Sequence, residues 1–458
     1  MASPVPALHS RIGAAGVGLA GIDGCWWLPA AEPFALPAAL AAELRDLGAA
    51  IFALLDVVAG LYGTPAGAAC GLDALLGYHV PPDLARLRAP GAVLGLRPDF
   101  QLCPDDSPAG YRLVATELEI CPSAQGFAHA MQRGYGLETD LVAAYVRILA
   151  GRELLIAATA AWGEFVWDQL AFCRALAEAG ARARLLLDLP PALFAAQVRR
   201  GERWRVPMFG IPTQPERWDD DVLARIERHG FGPFVWHADA WPADVGDARV
   251  FRFGYCDCFS ASQLARMRQW QARGAAFINP PAFFLDSKAV MAALGLPAVR
   301  EALAERSPAA LPALRRGIPE TLLVQPETLP RLRAERPAWV LKYAGFDRGN
   351  LAWGGRSLQL GLHHDDATWA RLLSEALSLG WPVVAQRLAP TARLDIQYLD
   401  RDGRSGWLRA GGTRLRSFLL RDPADPAAAL ACGTHLTVAS GAGVSESTAA
   451  VQAPVLFR

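Results

Sequence analysis

Net charge is the first thing this 458-residue sequence lacks: Lys plus Arg number 45, and so do Asp plus Glu. No global field draws the chain to nucleic acid or an anionic membrane, so any anion site has to be local. Nor is there an apolar run long enough to cross a bilayer. The richest, AAIFALLDVVAGLYG from Ala49, is broken by Asp56 and reads as a buried helix. The opening stretch, MASPVPALHSRIGAAGVGLAGIDG, holds one arginine and a short Gly-rich apolar segment, which makes a poor secretion signal. A cytoplasmic location is expected. The eight cysteines show no CxxC pair and no Cys/His zinc spacing, which favours reduced thiols. Cys256 and Cys258 could bind a metal, but with no second pair nearby they read as part of an ordinary packed strand.

What is present is material for burial. Hydrophobic residues make up 52% of the chain against 20% charged, so large-scale disorder is not expected. The length calls for two or three domains. The first ninety residues are Ala/Leu-rich with helical spacing. GAVLGLRPDFQL and GYRLVATELEIC then alternate around the turn-like CPDDSPAG, the pattern of a β-hairpin, with a helix expected from Ala128 to about Leu149. RELLIAATA, VWDQLAFCRALAEAG and ARARLLLDL form a strand–helix–strand unit, so a parallel sheet is expected there. GPFVWHA, ARVFRFGY and GAAFINPP continue it, giving a small Rossmann-like domain over 151–284 without the GxGxxG fingerprint of dinucleotide binding. Next come a helix DSKAVMAALG with an Asp or Ser cap, a strand at 339–343, a glycine loop and the helix TWARLLSEALSLG. The strands PVVAQRLA, ARLDIQYLD, RSGWLRAGGTRLRSFLL and GTHLTVASG follow.

Four constellations carry chemistry. Lys342 ends the apolar run WVLKY, and a buried ammonium needs an anion or loses its charge. The loop behind it holds Gly345, Gly349, Gly354 and Gly355 with Arg348 and Arg356, a set able to wrap phosphates. A salt bridge, or a lysine snorkelling from a strand edge, reads the same residues without a ligand. Arg97 and Asp99 share one face of a strand, and Glu117, Glu119 and Cys121 one face of its partner. Carboxylates gathered this way suit Mg²⁺, which takes one or two of them plus substrate phosphates; a solvent-facing hairpin is the plainer account. Lys288, in a first helical turn, opposes the helix dipole unless a phosphate or water relieves it. Arg414 and Arg416 share a strand face near Arg409, which fits an anion clamp or a charged sheet surface.

Taken in order, these pieces resemble the circularly permuted ATP-grasp enzymes, the group that includes the glutathionylspermidine synthetase-like carboxylate–amine ligases. The family order is RxDF, ExN, a Rossmann-like middle, an NK…L helix, a Lys–Gly-loop strand, a following Gln and a terminal Arg-bearing strand. Here stand Arg97–Asp99–Phe100, Glu119–Ile120–Cys121, the βαβ middle, Ser287–Lys288, Lys342 with Gly349, Gln386, and Arg414 with Arg416. The resemblance runs from about residue 90 to the end. It implies an α+β or α/β chain with a circularly permuted ATP-grasp fold and a Rossmann-like pre-ATP-grasp domain. Residues 1–150 would hold the N-terminal helices and the metal-binding hairpin, 151–284 the Rossmann-like domain and 285–458 the nucleotide-binding lobes.

The resemblance also implies roles. Lys288 and Lys342 would hold the phosphates of ATP, with Arg348, Gly349, Gly354 and Gly355 around them and Gln386 near the adenine. Asp99 and Glu119 would hold Mg²⁺, with Glu117, on the same strand face, as the substitute for the family's asparagine ligand. Arg97, Arg414 and Arg416 would meet the acyl phosphate or the substrate carboxylate. Small-molecule acid and amine substrates are implied, and the stand-alone form points to tailoring or peptide-forming biosynthesis. Cys121 stands where the family has an asparagine and is a poor partner for hard Mg²⁺. That departure supports a second reading, a noncatalytic relative that binds nucleotide or a partner without turnover. A kinase on the same scaffold is a third. If 344–357 is a lid, it should be ordered by ATP.

Overall fold

The computed structural model describes residues 8, 10–13, 28–87, 92–159, 166–187, 226–227, 229–236, 241–345, 358–400, 403–440 and 450–458. Two short strands, β1 (Leu28–Pro29) and β2 (Phe34–Leu36), lead into the 24-residue helix α1 (Ala38–Leu61). Ala and Leu supply its helical propensity. Leu40, Leu44, Leu47, Ile51, Leu54, Leu55 and Val58 are all buried along it. A helix apolar around most of its girth has to be central, and α1 lies across the back of the largest sheet. Each such fully buried side chain contributes roughly 1.5–3 kcal/mol.

The expected hairpin is β3 (Gly95–Pro104) paired antiparallel with β4 (Tyr111–Glu119). Where one helix was expected over 128–149 there are two, α2 (Gln125–Gly134) and α3 (Asp140–Leu149). Gly136, at φ +71°, ends the first by entering the left-handed region that a glycine tolerates.

The parallel sheet follows: β5 (Leu154–Ala158), α4 (Val166–Glu178), β6 (Ala183–Leu187), β7 (Val235–Trp236), β8 (Arg249–Phe253), α5 (Ala261–Ala272) and β9 (Ala276–Phe277). Its order is β7-β6-β5-β8-β9 and every pairing is parallel. All five residues of β5 are buried, as a strand covered on both faces requires. Cys256–Cys258 is a 3₁₀ turn and not the expected strand. Gly254, at φ +141°, turns the chain off the sheet, and Asp286 accepts the Cys256 N–H at 2.7 Å.

The segment at 283–295 is a single α turn, Phe283–Asp286, followed by a 3₁₀ run, Lys288–Gly295, in place of one α-helix. Ser287 is the cap, accepting the Ala289 N–H. A small antiparallel sheet comes next: β10 (Thr321–Leu323), β11 (Trp339–Tyr343), β12 (Gln359–Leu360) and β13 (Val383–Arg387), in the order β10-β13-β11-β12. Helix α6 (Asp366–Ser378) belongs to the same core through Trp369 and Leu373. The chain closes with β14 (Arg393–Leu399), β15 (Ser405–Arg421), β16 (Ala429–Ala439) and β17 (Val451–Phe457). These join the N-terminal strands in one sheet, β1-β17-β16-β15-β3-β4, with β14 on β15 and β2 on β17.

Three buried side chains tie the parallel sheet to the rest. Arg252 donates from Nη2 to Asp286 Oδ1 at 2.6 Å, their side chains 0% and 1% exposed. Asn279 accepts from the Arg252 N–H and donates to the carbonyls of Ile120 and Arg252. The last residues before Lys288 are thereby anchored. Arg252→Met alone should destabilise by about 3–5 kcal/mol, because it strands a buried carboxylate. The double variant Arg252→Met/Asp286→Leu should recover most of that loss, read as shifts of the urea unfolding midpoint.

Candidate active site

One face of the large sheet carries the chemistry, and strand register builds it. Asp99 on β3 lies opposite Glu117 on β4 and opposite Arg416 on β15; Arg97 lies opposite Glu119, and Arg416 opposite His435 on β16. Asp99 Oδ1 is 3.2 Å from Arg416 Nε and 3.5 Å from Arg97 Nε, and Oδ2 is 3.2 Å from Arg414 Nη1. Burial would raise the Asp99 carboxyl, but Arg416, Arg97 and Arg414 together hold it well below the usual carboxylate range. Arg97 also donates from Nη1 to the Ser123 carbonyl at 2.5 Å.

The second layer comes from the small sheet. Between Asp99/Glu117 and Phe100/Ala115 the hairpin slips by one residue, leaving Thr116 as the extra residue of a β-bulge. Its carbonyl accepts the Lys342 Nζ at 2.9 Å. Lys342, on β11, also donates to Gln386 Oε1 at 2.8 Å, and Gln386 on β13 turns its Nε2 to Thr321 Oγ1 at 3.2 Å. Lys288 Nζ is 2.7 Å from Glu117 Oε1, and the Lys288 backbone N–H donates to the Ala344 carbonyl at 2.7 Å. Burial pushes the Lys342 ammonium down to about 8, with Glu117 opposing. Burial also works against the Glu117 carboxylate, but Lys288 and Lys342 hold it below its ordinary value.

Glu119 behaves differently. Burial, then the neighbouring Glu117, push it up to about 7. It receives a hydrogen bond from Tyr255 Oη at 3.3 Å, and the Cys121 thiol lies 3.6 Å from its Oε1. Burial raises that thiol well above its usual value, so Cys121 remains a neutral donor. No group of three His, Cys, Asp or Glu side chains that could hold a metal occurs among the described residues. Within the trio Asp99, Glu117 and Glu119, both oxygens of Asp99 are committed to arginines. Glu117 and Glu119 fit a hard divalent cation better: two neighbouring carboxylates, Glu117 half-buried and Glu119 buried, the second pushed toward neutrality by burial and then by the first.

Arg97, Arg414, Arg416, Lys288, Lys342, Gln386, Asp99, Glu117 and Glu119 thus converge from the large sheet, the small antiparallel sheet and the 3₁₀ run that starts at Lys288. Arg348, Gly349, Gly354 and Gly355, and most of the expected lid, lie outside the described residues. Sequence reasoning passed over Tyr255, the Thr116 carbonyl and His435. Tyr255 had a signal, since it follows a parallel strand at its carboxyl end, where ligands of such sheets gather. The other two had none. Counted together, five cations face three carboxylates, one of which is part-protonated near neutrality. The cluster carries net positive charge.

No protein-family model matches this chain, and no curated protein matches it. Among solved structures it is similar to a glutathione synthetase-like effector from Globodera pallida in its apo form. Identity there is 12% and the TM-score 0.53, over 100% of this chain and 98% of that one. A conjectured gamma-glutamylcysteine synthetase from Methylobacillus flagellatus aligns at 10% identity and a TM-score of 0.37, over 84% of this chain and 86% of that one. At such identity the first likeness speaks to the fold alone.

The Lys342 shift has a testable sign. Below pH 8 the ammonium is charged in folded and unfolded chains alike, and its burial lowers stability. Between about 8 and the unbound value of 10.5 the folded protein sheds the proton first and regains that loss. The thermal midpoint of the ligand-free protein, measured relative to that of Lys342→Met at each pH, should therefore rise as pH goes from about 8 toward 10.5.

Proposed function

We propose that this cleft binds ATP and that the protein is an ATP-dependent carboxylate–amine ligase working through an acyl phosphate, on a circularly permuted ATP-grasp fold. The observation that carries the reading is the meeting of Lys288, Lys342 and Glu117 beside the three arginines held on Asp99. Lysines from two separate segments and an arginine clamp from the neighbouring strands form one cluster around Glu117 and Asp99. It suits a triphosphate on one side and the acid it activates on the other. Likeness in fold to a glutathione synthetase-like protein supports the same reading at the level of architecture.

Each residue then has a task. Lys288 and Lys342 bind the phosphates by charge-assisted hydrogen bonds, Lys288 exchanging Glu117 for a phosphate oxygen. Gln386 orients the Lys342 ammonium from below. Glu117 and Glu119 would hold Mg²⁺, whose contribution is to offset charge on the transferring phosphoryl group. Asp99 anchors the arginines, and Arg97, Arg414 and Arg416 align the substrate carboxylate with the γ-phosphorus. A carboxylate oxygen attacks that phosphorus and ADP leaves. An uncharged amine then attacks the acyl carbon, inorganic phosphate departs and the nitrogen loses a proton. The arginines stabilise the oxyanion that forms between these two events.

Calorimetric titration of ATP with and without Mg²⁺ tests the cleft. Lys342→Ala should weaken binding about 10- to 100-fold, the loss of a charged hydrogen bond worth ~1.5–3 kcal/mol. Binding should also fade as pH rises through about 8, where Lys342 sheds its charge. Arg416→Met should keep most nucleotide affinity yet abolish ADP release in the presence of acids and amines. ATP binding with no ADP release from any acid and amine would support the noncatalytic alternative.

A further inference from the structure

The arginine face does not end at Arg414. Beyond it β15 pairs with β14, and Ile396 faces Leu408 while Leu394 faces Gly411. Two steps on β14 thus match three on β15, so one residue of β15 is bulged out, with Ala410 in the left-handed region at φ +47°. Side chains of a strand alternate, and the extra residue reverses the alternation. Trp407 and Arg409, which an unbroken strand would turn to the core with Leu415, are brought to the face of Arg414 and Arg416.

The bulge is fastened there. Asp395 accepts the Ala410 N–H at 2.8 Å and the Arg409 Nη1 at 2.6 Å, and Arg393 donates to the Ala410 carbonyl at 3.0 Å. The Arg409 guanidinium lies 4.3 Å from the centre of the Trp407 ring. At 51%, Trp407 is the most exposed large apolar side chain among the described residues. One strand face therefore runs from Arg416 and Arg414 out to a rim of Trp407, Arg409 and Arg393. Four arginines stand along it against Asp99 and Asp395.

We propose that this rim holds the far end of the amine substrate, and that this substrate is a short peptide with a free C-terminal carboxylate. The inference rests on the ligase reading for the identity of the reacting end. The carboxylate would bind Arg409 and Arg393, and the last side chain would lie on the exposed face of the Trp407 ring. The peptide's N-terminal amine then reaches the acyl phosphate beside Arg414. From Arg414 to Arg409 the strand spans roughly 15 Å, the length of about four to five residues of extended peptide. A free amino acid is too short to touch both ends. The excess of arginine over carboxylate selects an anionic tail, and a guanidinium fixed against an indole offers a planar platform of low conformational cost.

The test is fluorescence anisotropy with nucleotide-free protein and a pool of hexapeptides labelled on a central lysine side chain. One pool ends in a carboxylate and the other in an amide. The carboxylate pool should bind better than the amide pool, and Trp407→Ala should lose at least fivefold in affinity for it. Leu379→Ala, another exposed apolar residue, serves as the control and should leave binding unchanged. Arg409→Ala should erase the preference for carboxylate over amide. Wild-type protein that does not bind the carboxylate pool, or Trp407→Ala that binds it as well as wild type, overturns the proposal. ADP release with ATP, acids and hexapeptides is scored separately. Trp407-dependent peptide binding without any ADP release would sink the ligase reading and keep the peptide rim.

Discussion

The buried carboxylate of Asp99 is the contact on which the floor of the cleft depends. Three guanidiniums stand within 3.5 Å of it, two of them from a strand more than three hundred residues away in sequence. Without that charge, Arg97, Arg414 and Arg416 would repel one another in a site where water screens little. With it they form a fixed and still net-positive surface. A buried ion group of this kind is weak evidence for stability, since desolvating its members offsets much of their attraction. Its value lies in geometry: it holds three guanidiniums in fixed positions on one sheet face.

Departures from regular pairing aim the functional atoms. The bulge at Thr116 presents a carbonyl to Lys342, and the bulge at Ala410 turns Trp407 and Arg409 toward the arginine face. A third, where Arg416/Phe418 face His435/Cys432, places Gly433 at φ +60° and lets its carbonyl meet His435 Nδ1 at 3.1 Å. Burial, then Arg416, push that imidazole down to about 3, so it stays neutral beside the guanidiniums and adds no further positive charge. Behind this layer the Arg252–Asp286–Asn279 junction plays the supporting part for Lys288. It fixes the chain immediately before the lysine while leaving the lysine side chain at the cleft.

Much of the local structure was legible because it has a period. The β3–β4 hairpin, the parallel strands and the helix at 366–378 all show their alternation or their 3.6-residue spacing in the sequence. Arg97 with Asp99, and Arg414 with Arg416, could be put on common faces by counting residues in twos. The errors fall where a single contact overrode the pattern. Gly136 split one expected helix in two. Asp286 drew Cys256 into a turn, and the run after Ser287 wound as 3₁₀. The short strands β1, β2, β10 and β12 went unread, being too brief for a period to show, and the longer β17 went unread as well.

By itself, the sequence determined most of the longer strands and helices, that any anion site would be local, and which cations and carboxylates were present to build one. Backbone propensity and side-chain alternation are properties of neighbours along the chain, so they can be read there. Only the tertiary structure decided that β3 would lie against β15, that Glu117 would face Lys288 while Asp99 took the arginines, and that Trp407 would share their face. Those outcomes depend on register, and register is set by packing between strands far apart in sequence and by single-residue bulges. A shift of one residue reverses every side chain, and no count along one strand reveals it.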